Sequence, residues 1–227
     1  MASSAVRAPL QIKICGITNV ADAQVVAEAG ADMMGIVVEV PGRARSRPLE
    51  QAQDIAAAAR IPLVVLTVNL PLPRLLTVAE TLRPFALQLH GQESPEFVCS
   101  LRQSVGCQIW KVIPLPLRAT ALSDEWKDYI AAGADVLLID AAVKTGAGTI
   151  SGGLGVTADW TRARELVRVS PVPVFLAGGL TPQNVADAVR AVKPSGVDVS
   201  SGVEHSAGVK DAQKVRDFIT AARGAVG

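Results

Sequence analysis

Eight apolar runs rich in β-branched residues recur along the chain, and each is followed by a segment with helical patterning. The predicted strands cover residues 11–15, 33–38, 62–68, 85–89, 108–113, 135–139, 173–177 and 196–200. The predicted helices cover residues 19–30, 48–60, 72–82, 94–104, 119–132, 157–169, 182–192 and 209–222. Alternation of short strands with helices is typical of a parallel α/β sheet. Eight such units in 227 residues predict a single (β/α)8 TIM barrel; an open doubly wound sheet of this length usually has fewer strands.

No linker-like segment divides the chain, so we expect one domain. Residues 1–9 lack the apolar core of a secretory signal and are expected to form a flexible N-terminal extension. Residues 10–227 are expected to form the catalytic barrel. The Gly-rich stretch 145–155 follows a predicted strand and precedes a predicted helix, which indicates a long active-site loop. Three helices have start signals, at Asn19, Ser94-Pro95 and Thr181-Pro182.

The composition excludes several classes of function. The formal net charge is +1 and no basic face stands out, so we expect no nucleic-acid partner. No apolar run approaches the length of a membrane span, and we expect no membrane association. The three cysteines, Cys15, Cys99 and Cys107, have no regular spacing, which indicates free thiols in a reducing, cytoplasmic compartment. No zinc pattern is present, and we expect no metal site. Both a monomer and a homodimer are compatible with the sequence.

In a barrel of this kind, functional groups gather at the carboxyl ends of the strands. The residues predicted there are, in chain order, Cys15, Arg43, Arg45, Asn69, His90, Lys111, Pro114, Asp140, Gly178, Gly179, Ser200, Ser201 and Gly202. The loops after strands 7 and 8 usually form a phosphate cradle, and glycine lets backbone N–H groups approach an anion. Gly178, Gly179 and Ser200–Gly202 therefore predict a phosphorylated small-molecule ligand, with Gly153 and Gly155 as a third edge. The alternative is that these are ordinary tight turns.

Two residues at the strand ends fit acid–base chemistry. Asp140 directly follows the apolar run Val136–Ile139, which argues against a solvated surface charge. A buried cap for the next loop is the alternative. Cys15 ends predicted strand 1, just before Gly16. The alternative is that it only fills space in the core, as most single cysteines do. A thiol and a carboxyl group at one mouth would form a general acid and base pair. Cys99 and Cys107 are interpreted as packing residues.

Four further residues are candidates for binding. His90 can titrate near neutral pH or simply hydrogen-bond at a strand end. Arg45 is a candidate for a bidentate clamp on a carboxylate, or a solvated arginine. Asp198, within an apolar run, is either structural or orients the ligand. Lys13 shares a strand face with Cys15 and is a candidate either for stabilising its thiolate or for contacting a phosphate.

At these residues the sequence resembles phosphoribosylanthranilate isomerase. The matching segments follow the order of that family and extend from about residue 11 to 220: Lys13–Asn19 (KICGITN), Leu87–Gly91 (LQLHG), Leu137–Asp140 (LLID), Leu176–Leu180 (LAGGL), Pro182–Val185 (PQNV) and Val197–Glu204 (VDVSSGVE). The opening and closing segments are the most specific.

The resemblance implies an activity and assigns roles. The family carries out an Amadori rearrangement of phosphoribosylanthranilate in tryptophan biosynthesis without metal or organic cofactor, so none is expected. By position, Asp140 would be the general acid and Cys15 the general base. Arg45 would hold the anthranilate carboxylate, and the turns of strands 7 and 8 would hold the phosphate. His90 and Asp198 would belong to the substrate-binding set.

Two loops depart from the family pattern. The family usually has Ser-Pro-Arg after strand 2, whereas this chain has Arg43-Ala44-Arg45, so Arg43 is a second candidate for the carboxylate clamp. The turn Gly152–Gly155 has Leu154 where the family commonly has threonine.

Two alternative functions stay open at this point. A histidine-pathway isomerase, or a bifunctional enzyme of the same fold, catalyses the same rearrangement but places aspartate at the end of strand 1. A non-catalytic barrel that binds a phosphorylated ligand would lack the acid or the base, and both are present.

Overall fold

The computed structural model describes residues 9–116, 123–145, 148–151 and 159–226. The eight barrel strands are β1 Gln11–Ile14, β2 Met33–Val38, β3 Leu63–Thr67, β4 Ala86–Leu89, β5 Gln108–Pro116, β6 Val136–Thr145, β7 Val174–Leu176 and β8 Gly196–Val199. The helices are α1 Val20–Glu28, α2 Leu49–Ala57, α3 Leu72–Leu82, α4 Pro95–Arg102, α5 Glu125–Ala131, α6 Trp160–Val169, α7 Val185–Val192 and α8 Ala212–Gly224. The expected N-terminal extension lies outside the described residues except for Pro9, as do residues 119–122, 146–147 and 152–158.

The eight strands form a closed parallel barrel, as predicted. Each strand pairs with the next one along the chain, and β1 pairs with both β2 and β8, which closes the sheet. At the closure, Lys13 lies opposite Asp198 on one side and opposite Met33 on the other. Because all strands are parallel, their carboxyl ends meet at one rim, where the loops that follow them converge.

The period of two along each strand divides the side chains between two cores. One fills the barrel and contains Met33, Val64, Ala86, Trp110, Val112, Val136, Leu138, Phe175 and Ala177. The other lies between strands and helices and holds most of the buried aliphatic residues. Inside the barrel, the Trp110 and Phe175 rings lie 4.6 Å apart. Gly196 of β8 leaves room for Phe175, since a Cβ atom there would come within 2.3 Å of the ring.

Several boundaries differ from the sequence prediction. Strand β6 runs past Asp140 to Thr145 and pairs antiparallel with Gly148–Ser151, so part of the predicted loop 145–155 is a hairpin. The last helix begins at Ala212 because Val209–Lys210 pairs with Glu204–Ser206 in a small antiparallel ladder. Helix starts at Asn19 and Ser94 are confirmed, since both side chains accept a hydrogen bond from the first turn. The start at Thr181-Pro182 is wrong: α7 begins at Val185.

At the opposite rim, the last helix is tied to the first strand. Arg223 of α8 donates to the Leu10 carbonyl at 2.9 Å and to both carboxylate oxygens of Asp32 at 2.9 and 3.0 Å. Asp32 in turn accepts from the Ile12 amide at 2.7 Å. These contacts join the two ends of the described chain far from the loops that follow the strands.

We predict that Gly196→Ala lowers the free energy of unfolding by about 1–3 kcal/mol, because the new methyl group must displace Phe175 inside a packed core. The measurement is urea unfolding followed by circular dichroism. Gly106→Ala is the matched control, since a Cβ there meets no atom within 4 Å. Equal losses in the two variants would contradict the packing described here.

Candidate active site

A cavity of about 680 Å³ opens at the carboxyl ends of the strands. All ten site residues predicted from the sequence line it: Cys15, Arg45, His90, Asp140, Gly178, Gly179, Asp198, Ser200, Ser201 and Gly202. Arg43, Asn69 and Pro114 line it as well, whereas Lys13 and Lys111 do not. The volume is in the range of small-molecule sites.

Cys15 sits directly above a buried ion pair. Lys13 is fully buried inside the barrel, and its Nζ donates to Asp198 Oδ1 at 2.9 Å across the β1–β8 closure. The sequence left two roles open for Lys13, and its burial beneath the cavity floor favours the contact with the thiol. Gly35 of β2 makes this arrangement fit, because a Cβ there would lie 2.8 Å from Cys15 Sγ and 3.2 Å from Lys13 Cε. Sequence reasoning missed Gly35.

Opposing effects act on the protonation of Cys15. Burial raises the pKa of the thiol above its ordinary value, and the nearby Asp198 carboxylate raises it further. The ammonium groups of Lys13 and Lys210 lower the pKa but do not offset burial. The pKa of Lys13 is raised, because attraction to Asp198 and Cys15 outweighs its burial. Lys13 is therefore a fixed cation beside a predominantly protonated thiol.

Asp140 lies on β6, three strands from Cys15 around the closed barrel. Its side chain is buried, and its Oδ2 lies 3.2 Å from His90 Nε2, although the angle is not that of a hydrogen bond. The other ring nitrogen of His90 lies 3.5 Å from the buried Gln88 amide. Gly178 makes room for the carboxylate, since a Cβ there would meet Ala141 N at 2.5 Å and Asp140 Oδ1 at 2.9 Å.

The turns after β7 and β8 lie side by side between Asp140 and Cys15. Gly178 and Gly179 have φ of +84° and +63°, a region that favours glycine. Within the described residues, the backbone N–H groups of Gly178, Gly179, Ser201 and Gly202 have no acceptor. The buried Ser200 hydroxyl has no hydrogen-bond partner there either. The two turns thus present several unpaired donors to one part of the cavity; Gly153 and Gly155 lie outside the described residues.

Arg45 and Arg43 differ in how they are held. Arg45 Nε and Nη2 donate to the two carboxylate oxygens of Glu204 at 2.7 and 2.6 Å. Arg43 is exposed at the rim. The contact between Arg45 and Glu204 joins the loop after β2 to the segment after β8. Sequence reasoning gave no role to Glu204, because nothing in its spacing points to a residue 159 positions away.

Comparison with known proteins places this architecture in a family. The family model for N-(5'-phosphoribosyl)anthranilate (PRA) isomerase matches residues 12–221. The N-(5'-phosphoribosyl)anthranilate isomerase of Rhodopseudomonas palustris (strain BisA53) is 43% identical over 217 residues, covering 95% of this chain and 96% of the relative. This chain belongs to the phosphoribosylanthranilate isomerase family. It is accordingly an isomerase by family.

Two solved phosphoribosylanthranilate isomerases show the same fold. Monomers derived from the dimeric enzyme of Thermotoga maritima superpose with a TM-score of 0.77 at 31% identity, covering 95% of this chain and 99% of theirs. A further isomerase, in complex with reduced 1-(o-carboxyphenylamino)-1-deoxyribulose 5-phosphate, has a TM-score of 0.72 at 31% identity and the same coverage. In the described part of this chain, no helix is long and apolar enough to cross a membrane.

In this member of the isomerase family, a buried network supports the rim beside His90. Lys111 points away from the barrel interior and donates from Nζ to Glu93 Oε2 and the Gly91 carbonyl, both at 2.7 Å. Glu93 accepts from the amides of Asn69 and Gly91. Lys111, predicted to be near the strand end that faces the ligand, is therefore a support for the loops after β3 and β4.

We predict that Lys13→Met raises the pKa of Cys15 further, because it removes the cation nearest the thiolate. The measurement is the ultraviolet absorbance of the thiolate during a pH titration, in a background where Cys99→Ser and Cys107→Ser leave a single thiol. Lys111→Met is the control, since it removes a buried lysine that is not among the charges acting on Cys15. Superimposable curves for Lys13→Met and the parent would contradict the electrostatics described.

Proposed function

We propose that this protein converts N-(5-phosphoribosyl)anthranilate to 1-(2-carboxyphenylamino)-1-deoxyribulose 5-phosphate, as an isomerase of tryptophan biosynthesis. The observation that carries the proposal is the placement of Cys15 and Asp140 in one cavity, with the donor-rich turns after β7 and β8 between them. A relative of the same fold has been solved with a ligand that carries both a carboxyphenyl group and a phosphate. The substrate we propose carries the same two groups.

Asp140 acts as the general acid. It donates a proton to the ring oxygen of the ribose, and the ring opens to a protonated Schiff base between C1′ and the anthranilate nitrogen. The position of Asp140 suits this role, because its carboxyl group lines the cavity and is shielded from bulk water. His90 Nε2 lies 3.2 Å from Asp140 Oδ2 and helps to fix the position of the carboxyl group.

Cys15 acts as the general base. Its thiolate removes the C2′ proton of the Schiff base, whose positive nitrogen accepts the electron pair, and an enolamine forms. A proton added at C1′ and loss of the O2′ proton complete the aminoketose, so the reaction balances without oxidant or reductant. Lys13 favours this step, because its ammonium group stabilises the thiolate.

Substrate recognition divides the cavity into two parts. The N–H groups of Gly178, Gly179, Ser201 and Gly202 bind the phosphate, joined by the Ser200 hydroxyl. The aromatic ring lies against the apolar wall formed by Val37, Val40, Leu66 and Val68, which pack with Cys15. Arg45, above that wall, binds the carboxylate. Asp198 orients the base through Lys13 and lines the floor of the cavity.

Other expectations from the sequence stay predictions for this chain. The dimeric state is a property of the Thermotoga maritima relative, and size-exclusion chromatography with light scattering distinguishes a monomer from a homodimer here. The histidine-pathway isomerase and the non-catalytic barrel are outcomes of the same assay: turnover of the imidazole substrate alone, or of neither substrate, would replace the proposal.

We predict that Cys15→Ser and Asp140→Asn each lower kcat by about 10²–10⁴-fold, the usual contribution of a positioned acid or base. The loss of phosphoribosylanthranilate fluorescence measures the rate. Ligand affinity should change little, because neither group belongs to the phosphate or carboxylate subsite. If neither substitution slowed the reaction, the assignment of acid and base would be wrong.

The pH dependence of the Asp140→Asn variant isolates the base. With the acid removed, residual kcat/KM should rise about tenfold per pH unit from neutrality upward, because activity then follows the fraction of thiolate. The rise should continue past pH 9.0, which is the ordinary pKa of a cysteine thiol, because burial raises the pKa of Cys15. A residual activity independent of pH, or the same rise in a variant that also carries Cys15→Ser, would exclude the thiol as the base.

A further inference from the structure

Glu204 and Lys210 form a buried charge cluster with Arg45 at the edge of the cavity. The Glu204 side chain is 5% exposed and that of Lys210 is fully buried, whereas Arg45 is 24% exposed. Lys210 Nζ donates to Glu204 Oε1 at 2.9 Å and to the Ser200 carbonyl at 3.2 Å. Glu204 and Lys210 stand on the two short strands Glu204–Ser206 and Val209–Lys210, so the hairpin delivers both charges to one place.

The bonds to Glu204 determine which edge of Arg45 is available. A guanidinium group has five N–H donors in a rigid fork, and Glu204 takes one from Nε and one from Nη2. Within the described residues, Nη1 makes no hydrogen bond, and Arg45 lines the cavity. The remaining donors, two on Nη1 and one on Nη2, form the end of the fork. A carboxylate in the cavity can therefore bind Arg45 end-on and bidentately.

The backbone beneath Arg45 supports the same orientation. Gly16 has φ of +75°, and a Cβ there would lie 2.8 Å from Arg45 Cδ and 2.7 Å from Ser200 Oγ. The stem of Arg45 thus passes over a position that only glycine leaves open. Thr18 Oγ1 donates to the Gly208 carbonyl, and Asp22 Oδ2 accepts from the Lys210 amide at 2.9 Å. The hairpin that carries Glu204 and Lys210 is thereby fixed to the loop after Cys15.

We propose that Glu204 and Lys210 are positioning residues for substrate carboxylate recognition: Glu204 aims the end of the Arg45 fork into the cavity, and Lys210 fixes the Glu204 carboxylate. This inference rests on the proposed function. Without Glu204 the guanidinium keeps its charge but loses its direction. Without Lys210, Glu204 loses the partner that orients Oε1. Arg43, the alternative clamp, is exposed, and no carboxylate among the described residues forms a salt bridge with it.

The test compares two substrates. Wild type and Glu204→Gln are assayed with phosphoribosylanthranilate and with the carboxylate-free analogue N-(5-phosphoribosyl)aniline. We expect Glu204→Gln to lower kcat/KM for the anthranilate by about 10–100-fold, the scale of a misplaced binding group, with little change for the aniline analogue. Arg45→Lys should show the same selective loss, and adding it to Glu204→Gln should cause little further loss, since both act on one contact.

Asp32→Asn is the matched control. It weakens the contact in which Arg223 donates to both carboxylate oxygens of Asp32, at the opposite rim of the barrel. The variant should change the kinetics of neither substrate. If Glu204→Gln fails to fold because Lys210 is left unpaired, Glu204→Asp, which keeps the charge beside Lys210 but withdraws the carboxylate from Arg45, is judged by the same criterion. Equal losses on the two substrates, or no loss on either, would overturn the inference. Absence of turnover by wild type would instead overturn the proposed function.

Discussion

The Lys13–Asp198 ion pair is the interaction on which the centre of the molecule depends. It crosses the closure of the barrel, where β1 meets β8, and lies directly under Cys15. Burial of two charges costs several kcal/mol per ion, and their attraction offsets this only when the geometry is good. Replacing the pair with apolar side chains would be compatible with a barrel core. The pair instead leaves a cation beside a buried thiol, which favours a chemical role over a purely structural one.

Buried lysine–carboxylate pairs also occur at two other places, both near the rim of the barrel. Lys13, Lys111 and Lys210 are buried lysines, and each forms a salt bridge with a buried carboxylate: Asp198, Glu93 and Glu204, respectively. The first pair adjoins Cys15, the second holds the loops beside His90, and the third holds Arg45. The first pair crosses the barrel closure beneath the cavity, whereas the lysines of the other two also donate to the Gly91 and Ser200 carbonyls in the segments that follow the strands. A rim built in this way presents polar groups at defined positions while the apolar core below supplies the stability.

The sequence predicted the barrel because alternation of strands and helices is a local pattern that a closed parallel sheet requires. It also predicted the residues at the carboxyl ends of the strands, because strand ends share one rim, and all of these except Lys111 line the cavity. The salt bridges between residues distant in the sequence could not be predicted from local patterns. Arg45 and Glu204 are separated by 159 positions, and only the closed sheet brings their loops together. Gly35 was missed for a related reason: it matters because its missing side chain leaves room for the side chains of Cys15 and Lys13 on the neighbouring segment. The extension of β6 past Asp140 was missed because the Gly-rich sequence that follows is typical of a loop.

The charges around Cys15 explain why a thiol suits this position. Lys13, Lys210 and Arg45 contribute three positive charges near it, and Asp198 and Glu204 contribute two negative ones. A neutral thiol leaves this edge of the cavity with one excess positive charge, which favours an anionic ligand. A permanently ionised carboxylate at position 15 would cancel that charge before any ligand arrived. A thiol avoids this, since burial raises the pKa of Cys15 and so favours the neutral form, while the adjacent ammonium groups favour the thiolate.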